Sequence, residues 1–151
     1  NNRTASWAPF DQGPAPHRHE RAILTALQDP QAVARARIPV EKIQAPIILL
    51  SATDDGSWPS SRYSRMVVDS LKAHHYPYDV QWVDTKGGGH AIVFPYIPTT
   101  QVVYSHPVSG KVSTGGGQPR PNADSDEASW NRIKLFLDKA VRNHAAANQQ
   151  Q

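Results

Sequence analysis

The pattern of apolar and polar positions predicts two short helices near the start of the chain, followed by a return toward a sheet. Apolar residues recur at helical spacing within residues 20–28. Asp29-Pro30 then offers an N-cap and a proline in the first turn of a second helix, which we expect to end near Arg37. Residues 20–45 are therefore interpreted as a helical, lid-like segment that leads back to the sheet.

Two runs further along have the patterns of β-strands. Residues 47–50 form a continuous, branched apolar run, which is typical of a central parallel strand buried on both faces. Residues 78–83 alternate in polarity, which predicts a second strand nearer the edge of the sheet. The first strand delivers the acidic pair Asp54-Asp55 close to its carboxyl end.

Two longer amphipathic helices complete the predicted elements. The first follows the acidic pair, with Ser60 or Ser61 as its N-cap, and Pro77 prevents its continuation. The second is expected to begin at a capping box formed by Asp124 and Glu127. Both helices are amphipathic, with apolar residues along one face.

These elements divide the chain into four segments. They are an extended N-terminal arm (1–19), the lid-like segment (20–45), an α/β portion (46–143) and a disordered tail (144–151). Within the α/β portion, residues 91–122 are rich in Pro and Gly without a sustained period, which predicts a long loop that shapes a substrate mouth. Residues 115–117 are all Gly and lack the Lys of a phosphate-binding loop, so we interpret them as flexible loop.

Asp55 and His90 have the clearest chemical meaning. A buried strand ends near the acid, a helix and a second strand follow, and residues 87–89, all Gly, lead into the histidine. In an open parallel sheet both side chains belong at the carboxyl ends of neighbouring strands, where a carboxylate can orient an imidazole base. Asp54 is the alternative acid, although its place nearer the strand favours a bond to the turn backbone. The competing interpretation is an ordinary turn and a strand-ending loop.

The nucleophile that such a pair would serve is missing. The sequence contains no Gly-x-Ser-x-Gly or Gly-x-Cys-x-Gly motif and no Cys at all. Its 151 residues are enough for one hydrophobic core but few for a complete enzyme that carries an acid, a base and a nucleophile on an open parallel sheet. We therefore expect the nucleophile to lie on a segment or partner outside this sequence.

Four further side chains are candidate substrate contacts. Trp58, Phe94 and Tyr96 flank the acid and base in sequence, and they are equally consistent with an acyl pocket and with simple packing. His106 lies in the long loop and is a weaker candidate for substrate contact.

Composition excludes several other classes of function. The formal net charge of +3 is mild and the basic residues are scattered, so no nucleic-acid partner is predicted. No apolar run approaches the roughly 18 residues that span a membrane. His17 and His19 have no evident acidic or Cys partner, so we predict neither a metal nor a cofactor. We expect a soluble protein, cytoplasmic or secreted, and the compartment stays open.

Several short motifs follow one another in a particular order along the chain. They are Ile38-Pro39-Val40-Glu41-Lys42-Ile43, Pro46-Ile47-Ile48-Leu49-Leu50-Ser51-Ala52-Thr53-Asp54-Asp55, Trp58-Pro59, Gly89-His90, Pro95-Tyr96-Ile97-Pro98, Gly116-Gly117-Gln118-Pro119 and Ser129-Trp130. With these motifs in this order, the chain resembles the C-terminal domain of the acyl-CoA thioester hydrolase and bile acid-CoA:amino acid N-acyltransferase family. The likeness covers roughly residues 20–142.

The resemblance implies the α/β class, and within it the C-terminal half of an α/β-hydrolase: parallel strands with flanking helices, completed by a missing N-terminal half or partner chain. It implies a triad of Ser or Cys, Asp and His, in which Asp55 and His90 match the acid and the base. The implied substrate is an acyl thioester or ester, which the whole protein would hydrolyse or use for acyl transfer.

On this interpretation the chain alone is inactive, and a heterodimer produced by proteolytic processing is one way to supply the nucleophile. Two alternatives are kept. One is a portion of a dienelactone-hydrolase-like or prolyl-oligopeptidase-like esterase or peptidase, and the other is a noncatalytic interaction subunit.

Overall fold

The computed structural model describes residues 11, 13–92 and 94–148, with side chains described as far as residue 143. The chain forms a mixed α/β structure, which confirms the predicted class. In chain order the elements are α1 (His19–Ala26), α2 (Pro30–Ala36), a 3-10 turn (Val40–Lys42), β1 (Ile47–Ala52), α3 (Ser60–Ala73), β2 (Val80–Thr85), β3 (Val103–Ser105), β4 (Val112–Thr114) and α4 (Pro119–Asn148).

The first two helices form where the pattern predicts them. Asp29 caps α2 because its carboxylate accepts the backbone N–H of Gln31 at 2.9 Å and of Ala32 at 3.1 Å. The helix ends at Ala36, with Arg37 as its C-cap. The predicted N-cap and end point are therefore confirmed.

Strands β1 and β2 form a parallel pair, in register from Ile47 opposite Val80 to Ala52 opposite Thr85. The second strand begins two residues later than the predicted range of 78–83. The prediction that residues 47–50 are buried on both faces is wrong, because these residues are only half-buried. The physical reason is that, in the described part of the chain, this sheet has two strands and too little around it to cover both faces.

Helix α3 packs on β1 and contributes Leu71, which is 1% exposed, to the core. Its N-cap is Pro59 rather than Ser60 or Ser61, so that expectation is wrong. The Ser60 hydroxyl instead bonds to the end of β1: it donates to the carbonyl oxygen of Ala52 at 3.2 Å and lies 3.3 Å from the Ala52 backbone N–H. This exchange fixes the start of the helix against the strand end.

Helix α4 begins at Pro119, five positions before the predicted capping box at Asp124. The first turn of a helix tolerates proline because its N–H groups have no partner within the helix, so Pro119 and Pro121 are compatible with this start. Asp124 therefore lies inside the helix and is exposed. The helix continues to Asn148, into the segment assigned to a disordered tail, and residues 149–151 lie outside the described residues.

The region predicted as a long loop, 91–122, contains a hairpin as well as the start of α4. Strands β3 and β4 pair antiparallel, with Val103 opposite Thr114. His17 then extends this small sheet, because its backbone N–H donates to the carbonyl oxygen of Val112 at 2.8 Å and its carbonyl oxygen accepts from Thr114 at 3.0 Å. Part of the predicted arm thus lies along β4, while residues 1–10 and 12 lie outside the described residues.

Candidate active site

The structure brings Asp55 and His90 together. The carboxylate oxygen Oδ2 of Asp55 lies 3.2 Å from the ring nitrogen Nδ1 of His90. This contact follows from the topology, because β1 and β2 are parallel and in register, so the segments that leave their carboxyl ends emerge side by side. Asp55 comes three positions after the end of β1, and His90 comes five positions after the end of β2.

The Asp55 carboxylate is held by its own loop. Its second oxygen, Oδ1, accepts the backbone N–H of Ser57 at 2.8 Å and of Trp58 at 3.0 Å. The Asp55 side chain is 6% exposed, whereas the His90 side chain is 46% exposed. A buried, hydrogen-bonded acid thus faces one side of an imidazole that remains accessible on the other.

Asp54, the alternative acid, is engaged elsewhere. Its Oδ1 accepts a hydrogen bond from Nη2 of Arg18 at 2.9 Å, and its Oδ2 accepts the backbone N–H of Gly117 at 2.9 Å. The turn-backbone bond that we expected for Asp54 is therefore replaced by bonds to two distant segments. Of the two neighbouring acids, the one whose carboxylate meets the imidazole is Asp55.

The three successive glycines at 115–117 join the acid segment to the base segment. The carbonyl oxygen of Gly115 accepts the backbone N–H of Gly56 and the backbone N–H of His90, each at 2.8 Å. Asp55 and Gly116 form an antiparallel bridge. Gly116 has a φ of 74°, and a Cβ there would lie 1.9 Å from the carbonyl oxygen of Asp54. The interpretation of these glycines as flexible loop is wrong, because their backbone is hydrogen-bonded and closely packed.

Asn122, on the first turn of α4, holds the base segment from the other side. Its Oδ1 accepts the backbone N–H of Gly89 at 2.7 Å, and this bond is buried. Sequence reasoning missed both Asn122 and Arg18. Their partners lie 33 and 36 positions away in the chain, and local sequence patterns do not predict contacts at such separations.

The four candidate substrate contacts have different environments. Trp58 adjoins Asp55 through its backbone N–H and is 46% exposed. Phe94 packs edge-on against Trp130, with 5.3 Å between ring centroids, and Tyr96 is 96% exposed. His106 instead serves its own turn, because its Nδ1 accepts the backbone N–H of Val108 and of Ser109. The structure therefore gives the three aromatics accessible surface and gives His106 a local role in the hairpin.

The described residues contain no group of three His, Cys, Asp or Glu side chains arranged to hold a metal ion. His17 does have an acidic neighbour that sequence reasoning overlooked, since its Nδ1 lies 3.7 Å from the Asp11 carboxylate. In the same described ranges, every helix is too short or too polar to cross a lipid bilayer.

The arrangement as a whole is suited to proton transfer. A carboxylate at Nδ1 favours the tautomer with the proton on that nitrogen, which leaves Nε2 to accept a proton from a nucleophile. The same carboxylate stabilises the imidazolium that results. Neither Asp55 nor His90 supplies the nucleophile itself, and the sequence has no Ser or Cys elbow to supply it.

Comparison with known proteins adds independent information. Residues 17–143 match the family model described as "BAAT / Acyl-CoA thioester hydrolase C terminal". The chain is 33% identical over 112 residues to acyl-coenzyme A thioesterase 6 of Mus musculus, a stretch that covers 73% of the chain and 26% of that protein. It is 30% identical over 119 residues to mitochondrial acyl-coenzyme A thioesterase 2 of Rattus norvegicus, covering 79% of the chain and 26% of that protein.

A third relative is the peroxisomal succinyl-coenzyme A thioesterase of Mus musculus, which is 29% identical over 102 residues, or 68% of the chain and 24% of that protein. The chain thus spans about a quarter of the length of the curated relatives it matches. The range matched by the family model includes the segments that carry Asp55, His90 and residues 115–117.

Proposed function

This chain belongs to the BAAT and acyl-CoA thioester hydrolase C-terminal family, and from that premise we propose that it supplies the acid and the base of an acyl-CoA thioesterase. In this proposal Asp55 is the acid, His90 is the base, and the nucleophile lies on a complementary segment. The single observation that carries the proposal is the 3.2 Å contact between the Asp55 carboxylate and Nδ1 of His90.

The proposed mechanism follows from the roles of these two side chains. Nε2 of His90 takes the proton of a Ser or Cys nucleophile as that group attacks the thioester carbonyl. Asp55 holds the ring in the required tautomer and stabilises the imidazolium. His90 then gives the proton to the departing thiolate, and an acyl-enzyme remains. In the second half of the reaction His90 takes a proton from water as the water oxygen attacks the acyl carbonyl. His90 then returns the proton to the departing Ser or Cys, which releases the carboxylic acid and restores the nucleophile.

The exposed aromatics that lie near this pair in the sequence support the proposed class of substrate. Trp58 follows the acid, and Phe94 and Tyr96 follow the base, each with a large accessible apolar surface. Such side chains suit contact with an acyl chain at the mouth of a site. The names of the relatives include both a general acyl-CoA and a succinyl-CoA thioesterase, so we propose the thioester class and leave the acyl group unspecified.

The complementary segment is the part of the proposal that is tested first. Native mass spectrometry of the purified protein, followed by denaturation, lists the chains present and reads their termini. We expect a second chain, or a further segment of the same chain, that bears a Gly-x-Ser-x-Gly or Gly-x-Cys-x-Gly motif. A complementary chain or segment without Ser or Cys at the centre of that motif would contradict the triad and favour a noncatalytic interaction subunit.

The role of His90 is then tested in the assembled protein, which we define as this chain together with the complementary segment that carries the nucleophile. We expect His90→Ala to reduce kcat for acyl-CoA hydrolysis by about a thousandfold or more, since the residue serves both halves of the reaction. His75→Asn is the matched control, because His75 is exposed at the end of α3 and Asn tolerates its φ of 49°. A rate for His90→Ala equal to that of the control would contradict the proposal.

A further inference from the structure

We infer that Arg18 is a positioning residue for the acid–base pair, acting through Asp54 on the loop that carries Asp55. This inference rests on the proposed function, because it assigns Arg18 a part in the same site. The acid loop is defined here as residues 53–58, and the glycine segment as residues 115–117.

The Arg18 guanidinium forms hydrogen bonds with both the side chain and the backbone of Asp54. Its Nη2 donates to Oδ1 of Asp54 at 2.9 Å and to the carbonyl oxygen of Asp54 at 3.2 Å. A guanidinium that bonds to both groups restricts the rotation of the side chain and the position of the backbone together. Because Asp54 directly precedes Asp55, this restriction also limits the position of the Asp55 backbone.

Arg18 is itself held in place. Its backbone N–H donates to Oδ2 of Asp11 at 2.8 Å, and Asp11 also accepts from the backbone of Gly13 at 2.9 Å and from Nη1 of Arg21 at 3.1 Å. The Asp11 side chain is 4% exposed. The guanidinium therefore projects from an anchored backbone, and its contact with Asp54 transmits that anchoring to the acid loop.

Asp54 passes the constraint on to the glycine segment. Its second oxygen accepts the backbone N–H of Gly117 at 2.9 Å. The carbonyl oxygen of Gly115, two positions earlier, bonds to the backbone N–H of His90. Asp54 thus connects the N-terminal segment, the acid loop and the glycine segment, to which the backbone of His90 is bonded.

This geometry makes Arg18 a positioning residue and not a catalytic one. Among the described residues, the N–H groups of Arg18 donate to Asp11 and Asp54, with an ion pair to Glu20, and none donates to Asp55 or His90. Triad geometry tolerates only small displacements, since a misplacement of about 1 Å can reduce the rate about a hundredfold. A partly exposed ion pair contributes little to global stability, so loss of Arg18 should affect catalysis more than folding.

The test uses Arg18→Gln in the assembled protein. We expect kcat to fall about ten- to a hundredfold, KM to change by less than about threefold, and the melting temperature to stay close to that of the wild type. Arg18→Lys should recover part of kcat, because it restores the charge without the second bond. Arg37→Gln is the matched control, since Arg37 also pairs with a carboxylate, Glu41 at 2.6 Å, while its other side-chain bond goes to Ser70 on α3 at 2.7 Å.

A second readout does not depend on turnover. In protein labelled at histidine with ¹⁵N, NMR reports which ring nitrogen of His90 carries the proton. We expect the Nδ1–H form in the wild type and in Arg37→Gln, and a shift toward Nε2–H in Arg18→Gln. Should Arg18→Gln fail to fold, the same comparison is made with Arg18→Lys, for which a smaller shift is expected.

The two readouts separate failure of this inference from failure of the proposed function. If kcat and the His90 tautomer are both unchanged in Arg18→Gln, the inference is overturned. It is also overturned if Arg18→Gln and Arg37→Gln lose activity equally and in proportion to their loss of stability. Absence of acyl-CoA hydrolysis by the wild type would contradict the proposed function, and the tautomer would still decide the role of Arg18.

Discussion

The backbone N–H of His90 donates to the carbonyl oxygen of Gly115 at 2.8 Å. The same oxygen accepts the N–H of Gly56, which follows Asp55 in the acid loop. The distance between the acid and the base is therefore set by the backbone of a third segment, in addition to the contact between their own side chains. Substitutions in that segment, or in the residues that hold it, should therefore change the distance between the acid and the base.

Asp55→Asn and Asp54→Asn should have different effects. Asn at position 55 keeps the size of the side chain but favours the wrong tautomer of His90 and cannot stabilise its cation, so kcat should fall about a thousandfold or more. Asn at position 54 loses the ion pair with Arg18, which should lower kcat by only about tenfold. Steady-state kinetics with acyl-CoA measure both values. A larger loss of kcat for Asp54→Asn than for Asp55→Asn would mean that Asp54 is the acid, which would contradict the proposal.

Gly116→Ala should destabilise the protein far more than Gly110→Ala. Both glycines have a positive φ, 74° and 68°, so an Ala at either position carries a similar backbone strain of about 1–2 kcal/mol. A Cβ at Gly116 would also lie 1.9 Å from the carbonyl oxygen of Asp54, whereas a Cβ at Gly110 would meet nothing within 4 Å. Denaturant unfolding should separate the two variants by more than about 2 kcal/mol. Equal destabilisation would mean that the glycine segment is not closely packed.

Asp11→Asn should weaken the protein at neutral pH and have less effect in acid. Burial raises the pKa of Asp11, but the backbone hydrogen bonds of Arg18 and Gly13 and the charges of Arg21 and His17 outweigh it, and the pKa lies below its ordinary value. A lowered pKa in the folded protein means that the carboxylate stabilises the fold above the pKa it has when unfolded. That stability is lost as the pH falls through the folded pKa.

The expected loss for Asp11→Asn at pH 7 is about 1–3 kcal/mol of unfolding free energy, which is typical for removing a charged hydrogen-bond acceptor. The difference from the wild type should shrink as the pH is lowered below the ordinary carboxyl range. Denaturant unfolding at several pH values measures it. Asp124→Asn is the control, because Asp124 is exposed and its nearest basic group, on Arg120, is 3.9 Å away. A pH-independent loss would contradict this account.

Leu71→Ala should cost about 2–5 kcal/mol of unfolding free energy, because Leu71 is 1% exposed between α3 and the sheet and its truncation leaves a cavity. Leu135→Ala makes the same chemical change on α4 at a side chain that is 65% exposed. We expect this control to cost less than about 1 kcal/mol in the same unfolding measurement. Equal losses would place the core elsewhere.

Local patterns predicted much of the fold. The apolar run at 47–50 and the alternating polarity at 78–83 identified the two parallel strands, and Asp29-Pro30 identified the start of α2. These predictions succeeded because periodicity and capping depend on residues within a few positions of each other. They failed where a local signal competes with packing, as at Asp124, where helix α4 had already begun at Pro119.

The sequence by itself determined the alternation of helices and strands, and it placed an acid and a base after two neighbouring strands. Only the tertiary structure decided which of the adjacent acids, Asp54 or Asp55, meets His90, and that residues 115–117 form a packed junction. The physical reason is the range of the interactions. The contacts that settle these points join residues 33–63 positions apart and involve many backbone groups, which are the same for every residue type. Side-chain patterns therefore cannot reveal them.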